Sequence, residues 1–357
     1  MLHLPVNSHV HKPRPLTLAG CCSAQSTFDR QRGVALLMVL FALALVAIGL
    51  PVVVQQSRAE LAALRELHNA RQARELQRAA QLLVQAGMTQ RRWRESPLFW
   101  QTLQGQWMDL PVSELAEEGL PSAQIRIRLR DLRACFNVNL LRGESSAEGQ
   151  RQLRYLLRSQ RSAGLSPAQL VDRLTDWIDA DGQAQPQGAE AIQYTQANQP
   201  WLPSNAAMVD LSELNLLPPG DSLRVWRYPE LCAWPDTGPW RLNLNALTLD
   251  QLPLLEALYA GEVPGSILQR LLLGRPAIGY ASADEVKAAL SGVGEEQTER
   301  ILDGLVLNSE RFRLETEIEL DDETYAFKQD FQLQGVSKWA ARVPAQRINW
   351  LTLQRGF

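Results

Sequence analysis

From Val34 to Val54 no position carries a charge and almost every one is apolar. At about 1.5 Å per residue, a helix of roughly 21 such residues spans the hydrocarbon core of a bilayer. The pattern then changes but stays helical. Leu61, Leu64, Leu67, Leu76, Leu82 and Leu83 recur at steps of three and four, with Arg and Glu on the other faces. One long helix is therefore expected over 34–95, its first part membrane-spanning (34–54), with a kink at Pro51.

Beyond it the period changes to two. After Pro97-Leu98-Phe99-Trp100 and a loop rich in Trp, Pro and Gly, Ile125 to Arg130 alternates apolar and basic residues. That alternation predicts a strand with one buried face and one wet face. Phe312 to Leu320 alternates again, and a turn is expected at Asp321–Thr324. Tyr325–Phe327 and Phe331–Leu333 offer another strand or two, and Arg347–Leu351 a weak last one. The interval between reads helical, at 153–159, 167–178, 252–259, 266–273, 283–290 and 295–307. Ser166-Pro167 and Ser282-Ala-Asp-Glu285 are helix-start signals. The expected fold class is α+β: a long N-terminal helix, strands over 96–130 and 309–357, and a large helical insertion over 131–308.

Charge orients the chain. Residues 1–33 carry Lys12, Arg14, Arg30 and Arg32 against Asp29, which keeps this end cytoplasmic and sends the rest outward. The apolar run is longer than a secretory signal needs and continues into a polar helix, which favours an anchor. Leu18-Ala-Gly-Cys21 has the lettering of a lipoprotein box but lacks the apolar segment such a signal requires. The net charge of -3 gives no reason to expect nucleic acid as the main partner.

Three further features carry candidate chemistry. Asp176, Asp179, Asp181 and Glu190 bring four carboxylates to a helix end and the loop after it. Hard cations such as Ca²⁺ take such oxygen ligands, and the same residues serve equally as caps and Asx turns. Asn137-Val-Asn139 and Asn243-Leu-Asn245 share an Asn-x-Asn core at the entry to a helical unit, where Asn side chains cap a first turn. Leu290-Ser-Gly-Val-Gly294 and its neighbours resemble a helix-hairpin-helix turn, a form that can hold DNA phosphate, but Glu295 and Glu296 follow it and repel phosphate. The four histidines are His3, His9, His11 and His68, so histidine-based catalysis has no basis in the globular part and no enzyme is expected.

Gly33 stands directly before the apolar run, as in prepilin-type leaders. Together with Cys135-Phe-Asn-Val-Asn139, Asp176-Trp-Ile-Asp-Ala-Asp181, Gly188-Ala-Glu190, Tyr194, Pro203-Ser-Asn205, Leu211-Ser-Glu-Leu214 and Asn243-Leu-Asn245, the chain resembles the K-class minor pseudopilins of type II secretion. The resemblance implies a pilin-like fold interrupted by a helical (helix-hairpin-helix or SAM-like) domain. It implies cleavage by the prepilin peptidase between Gly33 and Val34, removing a leader over 1–33. Met38 then falls at the fifth mature position, where pilin-like proteins usually have Glu and this class does not. The implied setting is the bacterial inner membrane, with the globular part periplasmic. There the class assembles with I- and J-class minor pseudopilins at the pseudopilus tip, starts pseudopilus assembly for export of folded proteins, and works with the major pseudopilin and the inner-membrane platform. It also implies calcium, carried here by Asp176, Asp179, Asp181 and Glu190. With the leader removed, Cys135 and Cys232 are expected to pair. The competing reading is a membrane-anchored helix-hairpin-helix protein that binds DNA in an uptake system. Two departures from the class are a long leader and Val34 in place of the usual first Phe.

Overall fold

The computed structural model describes residues 29–110, 123–158, 165–197, 199–217, 229–235, 238–320 and 323–351. Most of the leader expected over 1–33, including Cys21, Cys22 and the first three histidines, lies outside them, as do Asp321 and Asp322 of the expected turn. The chain divides into two compact units after Leu67.

The first unit is helical. α1 (Asp29–Met88) begins in it and runs without interruption through Pro51. From Val34 to Leu67 every side chain on this helix is exposed, among them Val34 (59%), Met38 (71%) and Leu64 (62%). A run that is apolar on all sides and uncovered has the character of a membrane span.

In the second unit the remainder of α1 acquires a buried face, with Ala73, Ala80, Val84 and Met88 in the core. The helix stops at Met88, short of the expected end at residue 95. Gln90 is extended, and Trp93 folds back over Gly87, where any Cβ would strike the indole. A single turn, α2 (Arg91–Arg94), follows. Pro97-Leu98-Phe99-Trp100 then opens a short helix, α3 (Pro97–Leu103). Ser96 caps it by accepting from the Leu98 N–H, and Pro97 occupies the first turn, where its missing N–H is harmless.

The sheet has five antiparallel strands in the order β1-β2-β7-β8-β9: β1 (Met108–Leu110), β2 (Gln124–Asp131), β7 (Arg311–Leu320), β8 (Glu323–Gln334) and β9 (Arg347–Trp350). Ile125, Ile127 and Leu129 point into the core, as the alternation predicts. On the other face Arg126 pairs with Glu317 and Arg128 with Glu315 across the β2–β7 register. β8 is one strand where two pieces were expected. Its polar middle is paired: Asp330 binds Arg313 at 2.7 Å, and Gln329 is buried against Gln77 and Gln81 of α1.

Between β2 and β7 the chain makes two successive units. In the first, β3 (Phe136–Asn137) pairs in parallel with β4 (Leu231–Cys232) around α4 (Ser146–Leu157), α5 (Pro167–Ile178) and α6 (Ala191–Gln196). In the second, β5 (Leu242–Asn243) pairs in parallel with β6 (Leu305–Val306) around α7 (Leu252–Leu258), α8 (Gly265–Leu273), α9 (Ala283–Ala289) and α10 (Glu295–Asp303). Each Asn-x-Asn core thus begins a unit that closes by a short parallel return.

Candidate metal centre and family

α5 is an amphipathic helix started by a complete capping box, with the Ser166 side chain accepting from the Gln169 N–H. Asp172 and Asp176 lie one turn apart on its buried face and hold the following loop by its backbone. Asp172 takes the Arg154 guanidinium at 2.6 Å and the Gln187 N–H at 3.1 Å. Asp176, fully buried, accepts from the Gln185 N–H at 3.0 Å. Gly188 packs directly on its Oδ2, and a Cβ there would collide with the carboxylate.

The loop held in this way brings the next three acids together. One carboxylate oxygen from each of Asp179, Asp181 and Glu190 lies within 4.8 Å of the others. Asp176 is not in that converging set; it faces the loop backbone. Asp179 ends α5 in extended backbone, Asp181 closes an Asx turn onto the Gln183 N–H at 2.9 Å, and Glu190 opens α6. Glu190 is buried, Asp179 half-buried and Asp181 exposed, so the set opens to solvent on one side.

The electrostatics are unbalanced. Burial, then Asp181 and Asp176, raises the Asp179 carboxyl to about 6. Burial, then Asp176 and Asp179, raises Glu190 to about 7. Asp179 Oδ1 and Glu190 Oε1 are both buried with no hydrogen-bond partner. Buried acceptors left unpaired beside like charges are costly unless a cation meets them. The donor set, all hard oxygen and open on one side, fits Ca²⁺.

Two neighbours were visible in the sequence only as members of its motifs. Tyr194 is fully buried, and its hydroxyl has no hydrogen-bond partner. Asn205, at positive φ (46°), donates to the Asp181 carbonyl at 3.3 Å and takes the Trp177 carbonyl through its backbone. The separation of 24 residues between Asp181 and Asn205 hid the place of Asn205 beside the loop.

Cys135 and Cys232 form a disulfide, with Cα atoms 5.9 Å apart and a separation of 97 residues. It lies where β3 and β4 pair, and so closes the first helical unit. A loop of that length is worth about 4.7 kcal/mol in the chain-entropy model.

A relative from Klebsiella pneumoniae described as type II secretion system protein K is 30% identical over 315 residues, covering 86% of this chain and 94% of its own. The chain belongs to the type II secretion system protein K family. This is the K class of minor pseudopilins. Two family models, both described as type II secretion system protein K, match residues 134–236 and 242–308, which are the two successive helical units. A protein K from Pectobacterium carotovorum is 27% identical over 318 residues, with 86% and 94% of the two chains covered. A chain of the crystal structure of the GspK-GspI-GspJ complex from enterotoxigenic Escherichia coli has the same fold. It aligns with a TM-score of 0.55 at 23% identity, over 81% of this chain and 99% of its own.

Proposed function

We propose that this chain acts at the tip of a pseudopilus, as a non-catalytic subunit that begins assembly with I- and J-class minor pseudopilins. The observation that carries the reading is Met38. It lies on the exposed apolar stretch of α1, at the fifth position counted from Val34. A carboxylate there can pair, inside the bilayer, with the N-terminal ammonium of a neighbouring subunit, an interaction strong in low dielectric and costly to leave unmade. A thioether cannot, so the subunit suits an end position better than one repeated along the shaft. The solved relative supports the choice of partners, since it was crystallised with GspI and GspJ.

In this reading the prepilin peptidase cleaves between Gly33 and Val34, α1 crosses the inner membrane once with its N-terminus cytoplasmic, and the globular part is periplasmic. The major pseudopilin and the inner-membrane platform complete the machinery. The domains run as a leader over 1–33, a helix over 34–95, sheet halves over 96–130 and 309–357, and the helical insertion over 131–308. α9 and α10, with Gly292 at positive φ (86°) between them, fit a helix-hairpin-helix turn used for packing. Glu295 and Glu296 in the first turn of α10 speak against DNA at that turn.

Asp179, Asp181 and Glu190 supply the oxygens for calcium, with Asp176 and Asp172 positioning the loop beneath them. Bound calcium would offset two of the three carboxylate charges and tie the end of α5 to the start of α6. Purification of the tagged full-length protein from membranes tests the assembly role. Recovery of the I- and J-class subunits, with a mature chain beginning at Val34, is the expected result. An intact leader and neither subunit would make it an ordinary anchored protein.

A further inference from the structure

The chain crosses from sheet to helical region just after β2 and returns just before β7, and a cleft of about 370 Å³ opens at that seam. Arg133 follows β2, Arg241 precedes β5, Glu310 precedes β7 and Lys338 follows β8, and all four line the cleft. Its only carboxylate among these residues, Glu310, is engaged by Arg133 at 2.9 Å. Arg241 donates to the Asp303 carbonyl at 3.2 Å, while the Asp303 side chain is 82% exposed, 3.6 Å away. The Lys338 ammonium rests 5.1 Å from the Trp339 ring.

Arg133, Arg241 and Lys338 outnumber the Glu310 carboxylate and the exposed Asp303 carboxylate beside Arg241, so the cleft is positive on a chain whose net charge is -3. A concave, partly buried site concentrates that field and draws anions. Burial, then Arg241, lowers the Lys338 pKa; Asp303 opposes the shift and Arg133 adds to it. Val306, Leu333 and Val336 add an apolar wall that suits the methylenes of a glutamate side chain.

We propose that this cleft binds an acidic segment of a partner protein, with a carboxylate seated between Arg241 and Lys338. A guanidinium fork beside an ammonium is well matched to a carboxylate. Because the lining comes from both crossing segments and from the chain after β8, an occupant would hold the helical region against the sheet. The inference stands on this cleft alone, whatever the assembly role of the chain.

The test uses the full-length protein in detergent and a fluorescent, end-capped hexaglutamate, with hexaglutamine as its neutral counterpart. Hexaglutamate should bind in a salt-sensitive manner, and Arg241→Gln with Lys338→Gln should weaken it about tenfold, while Arg78→Gln on the exposed face of α1 leaves it unchanged. Should the double variant melt early, Lys338→Gln alone decides, since that side chain is half-buried and lies over the Trp339 ring rather than in the core. The proposal is overturned if hexaglutamate does not bind, if the variant binds it equally, or if the hexaglutamine binds as well. It is also overturned if phosphatidylglycerol vesicles or inorganic phosphate bind at these residues in preference to the peptide.

Discussion

Asn139 and Asn245 make the same set of hydrogen bonds in the two helical units. Asn139 accepts from the Met208 N–H at 2.7 Å and donates to the Met208 and Trp234 carbonyls at 2.9 and 3.0 Å. Asn245 accepts from the Tyr280 N–H at 2.8 Å and donates to the Tyr280 and Leu307 carbonyls at 2.9 and 3.1 Å. Each side chain thus clamps both backbone groups of one distant residue and a carbonyl at the unit's return. Gly279 makes room for the second clamp, since a Cβ there would strike the Asn245 amide. The equivalence extends to the preceding Asn, because Asn137 and Asn243 each accept from the N–H two residues on.

Removing a clamp strands buried backbone groups. Asn245→Ala leaves the Tyr280 N–H and two carbonyls without partners in a fully buried site, at about 1–3 kcal/mol for each group that water cannot reach. A loss of about 3 kcal/mol in urea unfolding is expected. Asn245→Asp should be at least as damaging, because a carboxylate would face two carbonyl oxygens. A loss below about 0.5 kcal/mol for either variant would mean that the clamp is not a structural joint.

These clamps mark the limit of what the chain reveals when read alone. The Asn-x-Asn cores identified the unit entries, and Asn137 does cap the short turn after it, as expected. The partners of Asn139 and Asn245 lie 69 and 35 residues away, so nothing local signalled the clamps. β2 and β7 were legible because apolar and charged residues alternate along most of each, although β7 also buries Glu315 on its charged face. β8 was legible only in pieces, because Gln329 and Asp330 look like loop residues until α1 and Arg313 are beside them. In the acidic loop, composition shows how many carboxylates there are and not where they point. Asp176 turns inward onto the loop backbone over Gly188, and three other acids converge.

Asp131 gives the fold a predictable response to pH. It ends β2 and accepts from the Arg133 N–H at 2.8 Å and from Asn243 at 2.6 Å. Burial raises its pKa to about 6 even though these bonds and one from Ser309 oppose the shift. The unfolded value is about 3.9, so between roughly pH 4 and 6 the folded state holds a proton that the unfolded state has lost. The stability from this group is complete below about pH 4, falls as pH rises, and is gone above about 6. The difference in unfolding free energy between the wild type and Asp131→Asn should therefore shrink by about 3 kcal/mol across that window and stay flat above it. A difference independent of pH would show that Asp131 titrates normally.

The calcium reading has a thermodynamic signature separate from assembly. A ligand that binds only the folded state adds about 2.7 kcal/mol when present at a hundred times its dissociation constant. Calcium should raise the melting temperature of the full-length protein, and Glu190→Gln or Asp179→Asn should abolish most of that rise. Both substitutions relieve like-charge crowding among these carboxylates, so the variants should melt no earlier than wild type in chelator. Gly188→Ala acts differently. It pushes Asp176 off the loop and should lower stability with or without calcium. If Glu190→Gln keeps the full calcium response, the acids that converge here are caps and turns.

Met38 connects the membrane helix to the assembly role. Its side chain is 71% exposed on a helix with no buried residue between Val34 and Leu67, so substitution there leaves the packed core untouched. Met38→Glu restores the carboxylate that shaft subunits offer to a neighbour's ammonium. Unpaired, that carboxylate is costly in the bilayer, up to about 2.5–3.5 kcal/mol at a span's centre on insertion scales and less near its end, which favours an ammonium partner. The variant should therefore move from the tip into the shaft, seen as more copies per pseudopilus by quantitative immunolabelling and as a drop in secretion. Wild-type copy number and secretion, with the variant at normal levels in the membrane, would mean that the missing carboxylate is incidental to where this subunit sits.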